Sequence, residues 1–265
     1  MGLWSELHVK TLIPTIFVFL GISILLGYLL RNKDEKIRMI PIQVISVILV
    51  VLEIMKQIYA AKHGYKLDYI PLHFCSLFLF ALPFFAFYKG KYKDQMRTFA
   101  IVCCAVTTLL MFVGPTLIYQ EGSIPVFFKQ FLRFHTIVFH NVVILAMMLI
   151  VSLKLYSFDT KRDMKVILIS YPIYCAVAAT MSNLLKTNFN NFYYCEIAGL
   201  EQIRLSLVNS MGVGGQLLYI IGVSVMVILF AILAYWVLRL VCFVINKITN
   251  AIKTKKENKR AKNKA

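Results

Sequence analysis

Apolar residues fall in seven long runs along this chain, at residues 11–30, 39–60, 69–88, 98–118, 131–153, 165–185 and 216–245. A helix needs roughly 20 apolar residues to cross the hydrocarbon core of a bilayer, and each run is about that long. The pattern predicts an all-α membrane protein, a bundle of seven transmembrane helices. The first run is longer than a secretory h-region and lacks a small-x-small cleavage site, so it reads as the first membrane helix. The last is long enough to tilt or to extend into the interface.

The connections alternate in charge. Residues 31–38, 89–97, 154–165 and 247–265 hold four, four, four and eight Lys or Arg. The N-terminus and residues 61–68, 119–130 and 186–215 hold one, two, one and two. Basic residues collect on the cytoplasmic side, so the N-terminus is expected outside and the C-terminus inside. The organisation read from this is a seven-helix domain over residues 1–246 and a basic, disordered cytoplasmic tail over 247–265. That tail would lie against anionic lipid headgroups. Residues 186–215 form the longest outer connection. Its aromatic cluster suits the membrane interface, and residues 200–208 read as either a short strand or an interfacial helix.

Composition supports the membrane reading and narrows the partners. The chain has 265 residues, 60% of them hydrophobic, against 45–50% in soluble domains. Mean hydropathy is +0.74. The formal charge of +17 would suggest nucleic acid in a soluble protein. Here the cations flank apolar runs, so topology and lipid headgroups account for them and no nucleic-acid partner is expected. Six cysteines form no CxxC pair, so zinc-ribbon and thioredoxin readings lack support. The Lys- and Asn-rich character leans toward a low-GC bacterium and its cell membrane.

The chemistry-bearing residues sit near one face. With the expected topology, His73, Cys75, His135 and His140 lie roughly 5–13 Å below the outer boundary, as do Glu53 and Lys56. Ionisable groups inside a span are costly and mark function by default. Each also has a structural explanation alone. Glu53 and Lys56 at i, i+3 pair with each other, Lys56 and Arg133 snorkel, and His140 bonds a backbone carbonyl. Together they are expected to line one outward-opening cavity, since buried polar groups need partners.

On a regular helix beginning at Pro71, His73 and Cys75 point about 200° apart. Cys75 is therefore expected to pair with a histidine of another span, His135 or His140. A thiol beside an imidazole is the minimum for nucleophilic thiol catalysis. A zinc site is the chemical alternative, since His73, Cys75, His135 and Glu53 are all ligand types, but no H-E-x-x-H is present. Seven-span zinc hydrolases want histidines on late helices at the inner end, and a retinal protein wants a lysine in the last span. Neither is found here, and no metal or soluble cofactor is expected.

Ile70-Pro71-Leu72-His73-Phe74-Cys75-Ser76 resembles the L-P-L-H-L-C-[DS] signature of the bacterial YwaF family, which is grouped with eukaryotic transmembrane protein 164. Phe131-Leu132-Arg133-Phe134-His135 is similar to that family's F-F-x-x-H, and Lys186-Thr187-Asn188-Phe189 to its T-N-Y. The chain then departs from the pattern: Asn190-Asn191-Phe192-Tyr193-Tyr194 stands where the family has Met, Leu and Lys-Pro. The resemblance selects His135 over His140. It implies a membrane acyltransferase or acyl hydrolase acting on phospholipid or lysophospholipid, with Cys75 as nucleophile and His135 as base. Glu53, His73 and Asn188 would support them, and His140 stands near. Two readings compete: a small-solute or metal transporter or sensor with the same outer polar pocket, and a structural membrane protein with a polar plug.

Overall fold

The computed structural model describes residues 6–114 and 128–262. Among these residues eight α-helices follow in chain order: α1 (Glu6–Leu29), α2 (Glu35–His63), α3 (Leu77–Phe87), α4 (Lys93–Val113), α5 (Phe131–Ser152), α6 (Thr160–Leu185), α7 (Ala198–Met211) and α8 (Val213–Lys262). Short 3-10 turns at Leu67–Tyr69 and Phe74–Ser76 precede α3. Among the described residues no strand occurs, and six helices are long and apolar enough to cross a membrane. The predicted end of the fourth run at Ile118 and most of connection 119–130 lie outside the described residues.

The third predicted span is the correction. Instead of a membrane-long helix over 69–88, the chain makes an apolar helix over only Phe74–Phe87. Fourteen residues rise about 21 Å, short of a ~30 Å hydrocarbon core. Pro71 is one reason, because the residue before a proline is pushed out of helical backbone. Ile70 has ψ 131° and His73 ψ 150°, both extended. The segment before Cys75 is therefore not helical, and the 200° separation expected of His73 and Cys75 does not apply.

The connection at 186–215 resolves its ambiguity as a helix, α7, which folds back on α8. Gly212 joins them at φ 59°, a backbone that L side chains rarely adopt. Gly215 lets the two helices touch, since a Cβ there would meet the Leu207 carbonyl oxygen at 2.0 Å. At the other end, α8 runs through Lys262 as continuous helix, and so includes the basic segment that composition reads as disordered. That segment's Lys, Glu and Ala are good helix formers added to an existing helix.

α4 is the centre of the bundle and touches α3, α5, α6 and α8. Its residues Ala100 to Val106 are buried without a break, as expected of a helix that is apolar all round. α1 is peripheral and packs against α5, where Gly27 approaches Ser152. Beside the basic connections, Asp163 is wholly buried and bonded by Thr98 Oγ1 (2.7 Å), Arg162 Nε (2.9 Å), the Asp159 amide (2.9 Å) and Tyr235 Oη (3.0 Å). One carboxylate thus ties α4, α6 and α8. Nearby, Glu35 accepts from Lys93 (2.8 Å) and Arg97 (2.5 Å), joining the start of α2 to α4.

Candidate functional site

The short α3 leaves the segment before it, residues 69–76, packed against the bundle as extended chain and 3-10 turn. Leu72 meets Tyr174, which lies eleven residues before the end of α6, roughly 16 Å along that helix. Irregular backbone at membrane depth is tolerated only where its polar groups are satisfied by protein. They are satisfied here. The Leu72 carbonyl accepts from Tyr174 Oη (3.0 Å) and Asn190 Nδ2 (3.1 Å), and the Phe74 amide donates to Asn190 Oδ1 (2.5 Å). Asn190 Nδ2 is also 2.6 Å from Tyr174 Oη. The Tyr69 carbonyl accepts from Gln57 Nε2 at 2.8 Å.

Asn190 therefore clamps both sides of His73, one residue short of Cys75. It sits at φ 55° and Asn191 at φ 64°, left-handed positions that Asn tolerates better than most residues. Asn188 plays a different part from the one expected. Its Oδ1 accepts from the amides of Tyr193 (3.4 Å) and Tyr194 (3.3 Å), and its Nδ2 reaches Asn191 (3.4 Å). It shapes the loop, and Asn190 carries the loop to the motif.

Behind the clamp lies a buried ionic cluster. Glu53 of α2 is 5% exposed and His135 of α5 is 4% exposed. Glu53 Oε1 accepts from Lys56 Nζ (2.7 Å) and Gln57 Nε2 (2.7 Å), and Tyr65 Oη braces Gln57 at 2.8 Å. The other oxygen, Oε2, faces His135 Nε2 at 3.5 Å. That is long for a hydrogen bond, and neither atom has another partner among the described residues. Phe139 stacks on the His135 ring, centroids 5.0 Å apart.

The other sequence-selected residues sit around this pair. Cys75 lies in the 3-10 turn Phe74–Ser76, half-buried and reduced. His73 sets its ring edge-on to the buried Phe189 at 5.3 Å. His140 is buried with Nδ1 2.7 Å from the Thr136 carbonyl, the backbone partner anticipated for it. Lys56 lies within electrostatic reach of Cys75, His73 and His140. Four of the groups read from sequence thus share one neighbourhood with Lys56 and His135. Among the described residues Cys75 and His135 share no hydrogen bond, and no three His, Cys, Asp or Glu converge as a metal site. Neither the cavity lined by Glu35, Asp94 and Arg97 nor the one lined by Asn183, Arg204 and Gln216 includes Cys75, His135 or Glu53.

Gln57, Tyr174 and Asn190 escaped the sequence reading. Gln57 had a signal, four residues beyond Glu53 on one helix face. Asn190 stood in the stretch that departs from the family signature. Tyr174 had none, its partner Leu72 being 102 residues away.

Six helices among the described residues are long and apolar enough to cross a membrane, which marks a multi-pass integral membrane protein. The chain belongs to the TMEM164 family, which it matches over residues 3–235. No curated protein and no solved structure matches it.

Proposed function

We propose that this protein is a lipid acyltransferase or acyl hydrolase of the bacterial YwaF branch of its family. It would lie in the cell membrane with its N-terminus outside, its C-terminus in the cytoplasm and the cluster toward the outer leaflet. The short third segment would complete the crossing count expected from charge alternation. The observation that carries the reading is the buried Glu53–His135 pair beside the turn that bears Cys75. A carboxylate on one nitrogen of an imidazole sets its tautomer and strengthens its other nitrogen as a base.

In the first step His135 takes the Cys75 proton and the thiolate attacks the ester carbonyl of a phospholipid. A C–S bond forms, the ester C–O bond breaks, and the imidazolium returns the proton to the departing alkoxide. In the second step His135 deprotonates a lysolipid hydroxyl or water, whose oxygen attacks the thioester. The C–S bond breaks and Cys75 recovers its proton. Lys56, within electrostatic reach of Cys75, would stabilise the thiolate and the developing oxyanion. The test supplies purified protein with phospholipid labelled in its acyl chain, with and without lysophospholipid. Labelled diacyl product or free fatty acid should form with wild type and be absent with Cys75→Ala. No label leaving the donor under either condition overturns the reading.

One observation favours a second reading. An irregular segment at membrane depth beside charged groups is also how transporters build solute sites. In that case Cys75→Ser would keep full activity, which a nucleophile does not permit.

A further inference from the structure

A cavity of about 440 Å³ opens between the end of α6, α7 and the start of α8, beside Tyr193 and Tyr194. That volume lies within the range of ligand sites. Tyr193, Tyr194, Asn183, Gln216 and Arg204 supply its polar lining, and Val208 and Val213 its apolar wall. We infer that it holds the phosphodiester of a phospholipid headgroup, the amine of a zwitterionic headgroup resting on the tyrosines. The inference rests on the proposed lipid chemistry and assigns it a headgroup site.

Arg204 carries the argument. Its side chain is 15% exposed. Nε and Nη2 grip Glu201 at 2.8 and 2.6 Å, and Nη1 reaches Gln216 Oε1 at 3.2 Å. A guanidinium has five N–H groups, so two remain for an anion once these bonds are made. Arg is suited to phosphate because its planar fork offers parallel donors. The Glu201 carboxylate holds the fork in place, and balances its charge so that a zwitterion suits the site better than a strongly anionic ligand.

The surroundings fit an amphiphile. Gln216 Nε2 also bonds the carbonyls of Phe192 (3.1 Å) and Tyr193 (3.3 Å), so the wall is built and held. Tyr193 and Tyr194 set their rings 6.2 Å apart, and tyrosine faces attract ammonium groups. Val213 of the lining is exposed, and the same α7–α8 hairpin carries exposed Ile203, Leu205, Met211 and Leu217. Acyl chains would lie along that apolar rim while the headgroup enters the cavity. A free phosphate would use the same donors and leave the rim bare.

The test uses full-length Cys75→Ala protein in detergent, which isolates binding from turnover. Short-chain phosphatidylethanolamine should bind saturably, and sn-glycerophosphoethanolamine should compete. Arg204→Gln and Tyr194→Ala should each weaken binding about tenfold or more. Tyr194→Ala leaves the Arg204–Glu201 pair intact, so it decides the matter if Arg204→Gln misfolds. Absence of saturable binding, or unchanged affinity in Tyr194→Ala, overturns the inference. So does competition by inorganic phosphate as strong as by the glycerophosphoester, which marks a free-phosphate site. Headgroup binding without acyl transfer would sink the enzymatic reading alone, and transfer without headgroup binding would sink this inference alone.

Discussion

Glu53 Oε2 faces His135 Nε2 across 3.5 Å, and both side chains are almost wholly buried. The opposite oxygen is fixed by Lys56 and Gln57, so the carboxylate has one direction left to point. If this pair prepares His135 as a base, Glu53→Gln should keep the shape and lose the charge. Acyl transfer should fall on the order of a hundredfold, the scale of general-base effects. The check is single-turnover acyl transfer by wild type and Glu53→Gln at matched pH. A rate within twofold of wild type would remove Glu53 from the mechanism.

Removing the carboxylate altogether should hurt the fold as well. Glu53→Ala leaves Lys56 as a buried cation without its partner, at a cost of about 3–5 kcal/mol. Thermal unfolding in detergent should show a large loss, and Glu53→Ala/Lys56→Met should recover part of it. Equal stability of the single and double variants would contradict a buried pair.

Asn190 is the clamp on the segment before Cys75. Asn190→Ala leaves the Phe74 amide without its acceptor and removes one of two donors to the Leu72 carbonyl. A buried polar group left unpaired costs about 1–3 kcal/mol. Hydrogen exchange at the Phe74 amide should accelerate about tenfold or more. Asn188→Ala should instead loosen the Tyr193 and Tyr194 amides and spare Phe74. The same exchange pattern in both variants would show that the loop acts as one body.

Asp163 should dominate stability at the basic end. Asp163→Ala strips a shared acceptor from Thr98, Arg162, Tyr235 and the Asp159 amide, and should cost about 3–5 kcal/mol. The loss should appear in unfolding measurements, with Cys75 alkylation unchanged in the protein that remains folded.

On the outer loop, the Arg204 guanidinium holds the Glu201 carboxyl below the usual carboxylate range. A depressed folded pKa stabilises the ionised form. The contribution is present above the unfolded pKa and is lost as pH falls through the folded one. A carboxyl titration by NMR should therefore place Glu201 below the ordinary carboxylate range. Arg204→Gln should move it back up toward that range.

Much of the bundle was legible because lipid demands long apolar runs. Five runs of the seven became spanning helices close to their predicted limits, and 216–245 became the middle of a longer one. The run at 69–88 misled because apolar composition is the same for a helix and for irregular chain packed inside protein. Pro71 is visible, but the side-chain partners that satisfy the Leu72 carbonyl and the Phe74 amide are Tyr174 and Asn190, more than 100 residues away. Asp163 was hidden in the same way. It reads as one more charge in a basic connection until Thr98 and Tyr235 arrive from other helices. Of the residues the sequence selects, the direct contact is Glu53 with His135, where the sequence leads one to expect Cys75 with His135.

The central claim is that Cys75 carries an acyl group with His135 as its base. Intact-mass spectrometry of purified protein after incubation with phospholipid tests it most directly. Wild type should gain the mass of one fatty acid less water, mapped to Cys75 and released by hydroxylamine. Cys75→Ala should gain nothing, and His135→Ala should acylate far more slowly. Transfer of acyl chains by wild type with no adduct at Cys75, or an adduct persisting in Cys75→Ala, would contradict the account.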